Sequence, residues 1–425
     1  MNIELLKNKI SDGNFDAKFT ELYGADALAY QHKRWIDAID AFARLFGVDR
    51  DVHIFSVPGR SEISGNHTDH NHGKVLAAAI DLDIIAVASP CEGKNVCVKS
   101  EGFEADNVVL GGEPDSDEKF TSAALIKGVA AGLERVGYAA GGFDAYTTSN
   151  VMKGSGLSSS AAFEVMIGTI QNHLYNGGRI GNPEIARISQ YAENVYFGKP
   201  CGLMDQTACA VGGFIGIDFG NPAEAAIEKL PFDLTAAGYR LCITDTGGNH
   251  VDLNDDYASV PAEMKSVAAV LGGEVLRGFT ADDVIANIAK LRATCGDRAI
   301  MRAFHFLAEN DRVDAQCDAL RSNDLDAFFA GVLASGRSSF MWLQNVYTVK
   351  NVAEQGLSLA LCVTEKLLAG TKAAWRVHGG GFAGTIQAFV PAELVNEYVA
   401  GMDKVFGEGS CAVLSIRQDG AIMIV

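Results

Sequence analysis

A segment rich in glycine and serine is a candidate anion-binding site. It occupies residues 153–162, reads KGSGLSSSAA, and precedes an apolar stretch. Two glycines at a spacing of two allow a tight turn and a close approach of the backbone to a ligand. The free N–H groups and the dipole of the following helix would favour a phosphate, and a serine hydroxyl there could reach a magnesium ion. Because no Gly-Lys-Ser/Thr follows, the segment is not a Walker A loop.

Three other segments combine glycines with side chains suited to a polar ligand. Residues 57–71 read VPGRSEISGNHTDHN, residues 201–206 read CGLMDQ, and residues 378–384 read HGGGFAG. Carboxylates and imidazoles at fixed points are what a polyhydroxylated ligand needs, and an arginine fork suits a phosphate or a carboxylate. These residue types fit phosphoryl transfer, which needs positioning, charge neutralisation and a proton acceptor.

The segments lie beside predicted helices and strands. Apolar residues at helical spacing predict a helix over residues 26–46, which Gly47 would end. A strand is expected over 52–57, ended by Pro58-Gly59. Further helices are expected over 119–137, 159–175 and 183–197, and further strands within 75–88, 95–99, 143–150, 211–218, 240–246, 375–378, 385–390 and 411–416. Helices dominate from about residue 260 onward.

Length and composition indicate two packed domains. The chain has 425 residues, of which 48% are hydrophobic and 21% charged, as is ordinary for a globular protein. No linker marks the boundary, which we place between residues 1–230 and 231–425. The net charge of -18 argues against a nucleic-acid surface.

The sequence gives no sign of export or of a membrane span. No run of about 18 apolar residues occurs, and the charged first residues lack the apolar region of a signal peptide. The nine cysteines are scattered and form no C-x-x-C pair. This pattern indicates reduced thiols and a cytoplasmic location.

The four glycine-containing segments together resemble the motifs of the GHMP kinases. Residues 57–71 resemble the galactokinase signature, usually P-G-R-x-N-L-I-G-E-H-T-D-Y-N, and residues 201–206 resemble the galactokinase G-[IL]-M-D-Q segment. Residues 153–162 resemble the second motif of the whole family, and residues 378–384 resemble its third, G-G-G-F-G-G. All four occur in the family's order, so the chain is identified as a member of the galactokinase branch.

The resemblance implies a fold and a reaction. The fold would be a two-domain α+β GHMP kinase fold with the active site in the interdomain cleft, and the C-terminal domain would have a ferredoxin-like core. The reaction would be phosphorylation of galactose by ATP, with Mg²⁺, to give galactose 1-phosphate and ADP. The partners implied are the small sugar and ATP, with no nucleic acid, membrane or protein partner.

The resemblance also implies roles for particular residues. Asp205 would be the catalytic base, and Arg60 would contact both Asp205 and the developing phosphate charge. The sugar contacts would be Asn66, His67, Asp69, Gly202 and Tyr257. The ATP contacts would be Lys153, Gly154, Ser155, Gly156, Leu157, Ser158, Ser159, Ser160, Gly380 and Gly381. Magnesium would be held by Ser159 and by Glu193, which lies on the helix before the CGLMDQ segment.

Departures from the family pattern leave the substrates open. In the sugar signature Glu62 replaces Asn, Asn66 replaces Glu and His70 replaces Tyr. Ser122 and Leu125 stand where the family often has aromatic residues lining the adenine pocket.

The alternatives are therefore a kinase for another sugar, such as N-acetylgalactosamine or a uronic acid, and a non-catalytic sugar sensor. Known sensors of that kind lose residues of the phosphate motif, whereas the SSSAA run at 158–162 is complete here.

Overall fold

Two sheets and the helices that cover them make up the fold. The computed structural model describes residues 1–151, 156–221, 224–248 and 253–425. Its strands are β1 (His53–Ser64), β2 (Lys74–Pro90), β3 (Asn95–Ser100), β4 (Ala105–Val109), β5 (Phe143–Ser149), β6 (Phe214–Asp218), β7 (Ala226–Leu230), β8 (Tyr239–Asp245), β9 (Ala374–Val377), β10 (Thr385–Pro391), β11 (Cys411–Leu414) and β12 (Ile422–Met423). Its α-helices are α1 (Ile3–Ser11), α2 (Asp16–Tyr23), α3 (Leu28–Phe46), α4 (Ser122–Arg135), α5 (Ser159–Asn176), α6 (Asn182–Tyr191), α7 (Met204–Val211), α8 (Asn254–Leu271), α9 (Ala281–Ala286), α10 (Ile288–Thr294), α11 (Asp297–Arg321), α12 (Leu325–Ser338), α13 (Gly356–Leu368) and α14 (Val395–Phe406).

An 8-stranded sheet organises the first part of the chain. Its strands lie in the order β12-β1-β2-β5-β3-β4, and β6 and β7 extend it from β2. The β3–β5 pair is parallel and the other pairs are antiparallel. Successive side chains of β1 point to opposite faces, so Phe55 and Val57 pack with α4–α7 while Ile54 packs with α1–α3. Because helices cover both faces, the central strands are apolar along most of their length.

Strand β1 continues past the proline that was expected to end it. It pairs with β2 along its length, and the register shifts between Pro58 and Arg60 and again between Glu62 and Ser64. Proline cannot donate a ladder hydrogen bond, and a bulge is one of the places where a strand tolerates it. The predicted end at Pro58-Gly59 is therefore wrong, and Arg60 and Glu62 lie on the strand itself.

A 4-stranded antiparallel sheet organises the second part, in the order β11-β8-β10-β9. One face packs on α13 and α14, and the other contacts α12, where the rings of Phe328 and Phe389 lie edge to face at 5.3 Å. Helices α8–α11 form a neighbouring cluster around Phe306. Strand β12 returns to the first sheet and pairs with β1. The limits of the two domains stay a prediction.

The predicted helices of the first part agree with α3, α4 and α5 to within a few residues. The helix expected over 183–197 consists of α6 followed by a wider π-helical turn, Ala192–Phe197. Within the described ranges, helices long and apolar enough for a membrane span do not occur.

Candidate active site

The first feature of the site is a bidentate pair between Arg60 and Asp205. Arg60 lies on β1 just after the bulge, and Asp205 lies in the first turn of α7. The Nε of Arg60 donates to Oδ1 of Asp205 at 2.8 Å, and its Nη2 lies 2.8 Å from Oδ2. The arginine side chain is 5% exposed, whereas that of the aspartate is 30% exposed. The carboxylate of Asp205 is thus partly exposed to solvent, while the Arg60 guanidinium pairs with it on its buried side.

The surroundings of Asp205 keep its carboxylate ionised. Burial alone would raise the pKa, but the charge and hydrogen bonds of Arg60 hold the pKa of Asp205 well below its usual range. The Oγ of Ser158 adds a hydrogen bond of 2.6 Å to Oδ2. Ser158, expected at the phosphates of ATP, is therefore in contact with the proposed catalytic carboxylate.

The turn after β1 brings the polar side chains of the sugar signature beside Asp205. Asn66 and His67 both have left-handed backbone, with φ of 55° and 56°. Asp69 is buried, and it packs against the loop before α7 so tightly that a Cβ added at Gly202 would lie 1.6 Å from its Oδ2. Only glycine fits there, because the backbone of residue 202 lies directly against the Asp69 carboxylate.

His67 lies among three carboxylates. Burial lowers the pKa of His67, but the negative charges of Glu62, Asp205 and Asp69 outweigh this and raise it above its usual value. Its positive charge in turn helps to lower the pKa of Asp205.

Asn66 lies in the same turn but uses its amide within the protein. Its Nδ2 donates to the carbonyl oxygen of Gly379 at 2.9 Å, and its Oδ1 accepts from Nη2 of Arg376. Residue 66 therefore joins the sugar signature to the glycine-rich loop of the second part of the chain.

That glycine-rich loop closes the site from the opposite side. The hydroxyl of Tyr257 donates to the carbonyl oxygen of Gly381 at 2.8 Å, and a Cβ added at Gly380 would lie 2.9 Å from the Tyr257 ring. A Cβ at Gly381 would lie 1.9 Å from the carbonyl oxygen of Asn345, so this position also requires glycine. His378, at the start of the loop, is buried, and burial lowers its pKa to about 3.

The described end of the phosphate-motif loop contacts Arg60 directly. The guanidinium donates to the carbonyl oxygen of Gly156, and the backbone N–H donates to that of Leu157 at 3.1 Å. Lys153, Gly154 and Ser155 lie outside the described residues. The loop thus meets the Arg60–Asp205 pair where α5 begins.

Ser159 and Ser160, at the start of α5, line a cavity of about 450 Å³. Other lining residues are Phe103, Asp106, Ser122 and Phe163. Ser122 donates to Oδ1 of Asp106 at 2.8 Å, whereas Leu125 is buried in the core. The exposed ring of Phe103 lies in the turn between β3 and β4, away from the positions where the family pattern places aromatic residues, so the sequence did not single it out.

Two buried carboxylates lie together behind this region. Nε2 of Gln206 donates to Glu193 at 2.8 Å and to Glu164 at 3.2 Å. Burial, and then the charge of Glu193, raise the pKa of Glu164 well above its usual value. Oε1 of Glu164 and Oε1 of Gln206 have no hydrogen-bond partner among the described residues.

This set of oxygens fits a hard divalent cation, which would relieve the repulsion between the carboxylates. Glu193 was expected from the sequence to hold magnesium, whereas Glu164 was not, because its place on an apolar helix gives no signal.

Comparison with known proteins identifies the family. Residues 40–90 match the galactokinase galactose-binding signature, and residues 124–213 match the GHMP kinase N-terminal domain. The chain is 33% identical to a galactokinase of Streptomyces coelicolor over 373 residues, covering 86% of this chain and 92% of that protein. It is also 33% identical to a galactokinase of Streptomyces lividans over 353 residues, covering 82% and 84%.

Solved structures agree with the fold. The structure of Lactococcus lactis galactokinase complexed with galactose superposes with a TM-score of 0.75 at 23% identity, covering 91% of this chain and 98% of that one. The mevalonate kinase of Methanococcus jannaschii superposes with a TM-score of 0.59 at 14% identity, covering 86% and 98%. The fold is therefore the α+β GHMP kinase fold, and the chain belongs to the galactokinase branch of the GHMP kinase family.

Proposed function

We propose that the protein is a sugar 1-kinase that transfers the γ-phosphoryl group of ATP to the anomeric hydroxyl of galactose. The observation that carries the proposal is the Arg60–Asp205 pair, which lies between the sugar signature and the start of α5. The contact thus joins a carboxylate that can accept the proton of the sugar hydroxyl to a cation that can stabilise the charge of the transferred phosphoryl group. The relatives named galactokinase, at 33% identity over most of the chain, support galactose as the sugar.

Asp205 acts on the sugar hydroxyl as an ionised hydrogen-bond acceptor. Its depressed pKa makes it a weak base in the ground state. The transition state of phosphoryl transfer is loose, so positioning and charge stabilisation contribute most of the catalysis. Asp205 therefore orients the hydroxyl oxygen toward the γ-phosphorus. As the new P–O bond forms, the bond from the γ-phosphorus to the bridging oxygen breaks, ADP leaves with that oxygen, and the hydroxyl proton passes to the carboxylate.

Arg60 contributes charge. Burial alone would lower the pKa of its guanidinium, but Asp205 outweighs this and raises it, so it remains a cation throughout. It lies beside Asp205 and the loop before α5, where negative charge develops on the transferred group. Asp69 accepts hydrogen bonds from the other sugar hydroxyls, and His67 donates a hydrogen bond to one of them. Tyr257, Gly380 and Gly381 close the pocket from the second part of the chain.

ATP is proposed to bind at the start of α5. The helix N-terminus and the hydroxyls of Ser159 and Ser160 suit its phosphates, and the adjoining cavity suits its base. Phe103 is proposed as the stacking surface for the base, because Ser122 has no ring and Leu125 is buried. Ser159, Glu193 and Glu164 are the residues that would hold Mg²⁺, which when bound neutralises charge on the phosphates.

The cytoplasm is the proposed location. All nine cysteines are free thiols in the structure, which supports a reducing compartment.

The proposal is tested by ADP release from the purified protein with ATP and a panel of sugars. The panel contains galactose, N-acetylgalactosamine, galacturonate and glucose. Galactose is expected to give the highest kcat/KM. A higher kcat/KM for another sugar would mean that this sugar, and not galactose, is the preferred substrate. Sugar binding without ADP release would identify the protein as a sugar sensor.

A further inference from the structure

An exchange of two residues distinguishes the sugar signature of this chain. Asn and Glu usually occupy positions 62 and 66 of the galactokinase signature, whereas this chain has Glu62 and Asn66. Both side chains are buried, at 1% and 5% exposure. One carboxylate and one carboxamide are thus retained, in reversed places, on either side of the bulge that ends β1.

The carboxylate of Glu62 contacts His67 twice. Its Oε1 accepts the backbone N–H of His67 at 2.7 Å, and its Oε2 lies 3.7 Å from Nε2 of the ring. Oε2 has no hydrogen-bond partner among the described residues and is shielded from solvent. Asn66 and His67 both have left-handed backbone conformations, which are unfavourable for residues other than glycine. Such conformations persist only where surrounding contacts hold them. Glu62 supplies such a contact and places a negative charge beside the imidazole.

Asn66 occupies the place where a carboxylate would act differently. Its Oδ1 accepts from Arg376, a buried arginine that also lies 3.6 Å from Glu309. A glutamate at position 66 could form a second ion pair with Arg376. With the usual asparagine at position 62, His67 would then face a neutral carboxamide and not the Glu62 carboxylate. The exchange therefore moves one negative charge from the Arg376 side of the turn to the His67 side.

The charged groups around His67 come from four parts of the chain. Glu62 and Arg60 lie on β1, Asp69 follows in the same turn, Asp205 lies on α7, and His378 lies at the start of the glycine-rich loop. The His70 ring is 6.3 Å away, centroid to centroid. Three carboxylates thus outnumber Arg60, the single fixed cation among these groups.

We propose that Glu62 is a positioning residue for the sugar: it fixes the His67 backbone and holds the ring as an imidazolium that donates a hydrogen bond to a sugar hydroxyl. This inference rests on the proposed sugar-kinase function. It makes the sugar affinity of this protein depend on a carboxylate at position 62 and not on one at position 66.

The first test needs no enzymatic activity. The pH titration of the His67 ring is followed by NMR in the sugar-free protein, with His67→Gln to assign the resonance. Glu62→Gln keeps an acceptor for the backbone N–H but removes the charge, so the midpoint is expected to fall clearly below that of the wild type. Glu408→Gln, at an exposed glutamate, is the matched control and should leave it unchanged. An unchanged midpoint in Glu62→Gln overturns the proposal.

The second test is a double-mutant cycle on sugar kinetics. Glu62→Asn and Asn66→Glu are each expected to lower kcat/KM for the sugar about tenfold or more, mainly through KM. The double variant should remain at least as impaired as Glu62→Asn, because a carboxylate at position 66 would pair with Arg376 and would not replace the contacts of Glu62 with His67. Recovery of wild-type kcat/KM in the double variant would contradict the proposal. If the wild type phosphorylates no sugar while the His67 midpoint still depends on Glu62, the proposed function fails and the positioning role stands.

Discussion

The guanidinium of Arg60 holds both carboxylate oxygens of Asp205, with two contacts of 2.8 Å, from a position that is almost fully buried. The two residues are 145 positions apart in the chain and come from a strand and a helix of the first part. A bidentate arginine–carboxylate contact fixes direction as well as charge. It therefore orients Asp205 toward the exposed side, where the sugar signature and the start of α5 meet.

Replacing Asp205 by Asn should abolish most of the phosphoryl transfer. The amide loses the charge and the capacity to accept the hydroxyl proton, so kcat is expected to fall by about 100- to 10,000-fold. Sugar binding, measured by calorimetry, should remain. Retention of more than half of the wild-type turnover would rule out Asp205 as the catalytic carboxylate.

The same pair predicts a pH dependence of stability. The folded pKa of Asp205 is depressed, so the pair stabilises the folded state fully above the ordinary carboxyl pKa of about 4, and this contribution is lost as pH falls toward the folded pKa. The difference in unfolding free energy between wild type and Asp205→Asn should therefore shrink as the pH falls below about 4. A difference that grows on acidification would contradict the assignment.

Gly202→Ala should impair sugar binding specifically. The new methyl group would lie 1.6 Å from Oδ2 of Asp69, so the carboxylate would have to move away from its proposed place beside the sugar. We expect the KM for the sugar to rise roughly tenfold, with a smaller change in the KM for ATP. Gly181→Ala is the matched control, since a Cβ there would meet only Pro183 at 3.8 Å. Equal effects of the two substitutions would exclude a role for this contact.

Glu193→Gln should raise the magnesium concentration needed for half-maximal activity. Glu193 is buried and shares Nε2 of Gln206 with Glu164, and loss of one charge weakens the attraction for a divalent cation. Glu408→Gln serves as the control because it is exposed and distant in sequence. Unchanged magnesium dependence, together with a lower melting temperature, would mean that Glu193 stabilises the fold and does not hold magnesium.

Phe103→Ala should weaken nucleotide binding and spare the sugar. Stacking of a base on an aromatic ring contributes about 1–3 kcal/mol, so the KM for ATP is expected to rise about fivefold or more. Phe340→Ala, at an exposed phenylalanine of the second part, is the control. If Phe103→Ala behaves like this control, the base does not stack on Phe103.

The sequence alone predicted the fold well where motifs and periodicity agreed. Helices α3, α4 and α5 and most strands lie close to their expected positions, because apolar spacing reports directly on burial. The end of β1 was wrong, because a bulge lets the strand pass through Pro58. Pairing between distant segments, such as β12 with β1, leaves no local signal.

Some contacts of the site could be expected from the motifs and others could not. Arg60 and Asp205 are in contact, as the motifs led us to expect. Asp69 and Gly202 were each expected at the sugar, and their contact with each other was not foreseen. The contact of Ser158 with Asp205 and the burial of Glu164 beside Glu193 depend on packing between helices, which no single motif encodes. Both partners of Asn66, Arg376 in β9 and Gly379 in the glycine-rich loop, likewise lie more than 300 positions away.

The identity of the product tests the central claim most directly. The purified protein is incubated with galactose, ATP and magnesium, and the product is followed by ³¹P NMR, with Asp205→Asn as the matched control. A signal of galactose 1-phosphate that appears with wild type and fails to appear with Asp205→Asn is the predicted result. Phosphate on another hydroxyl of the sugar, equal turnover by the two proteins, or no phosphorylated sugar at all would contradict the account.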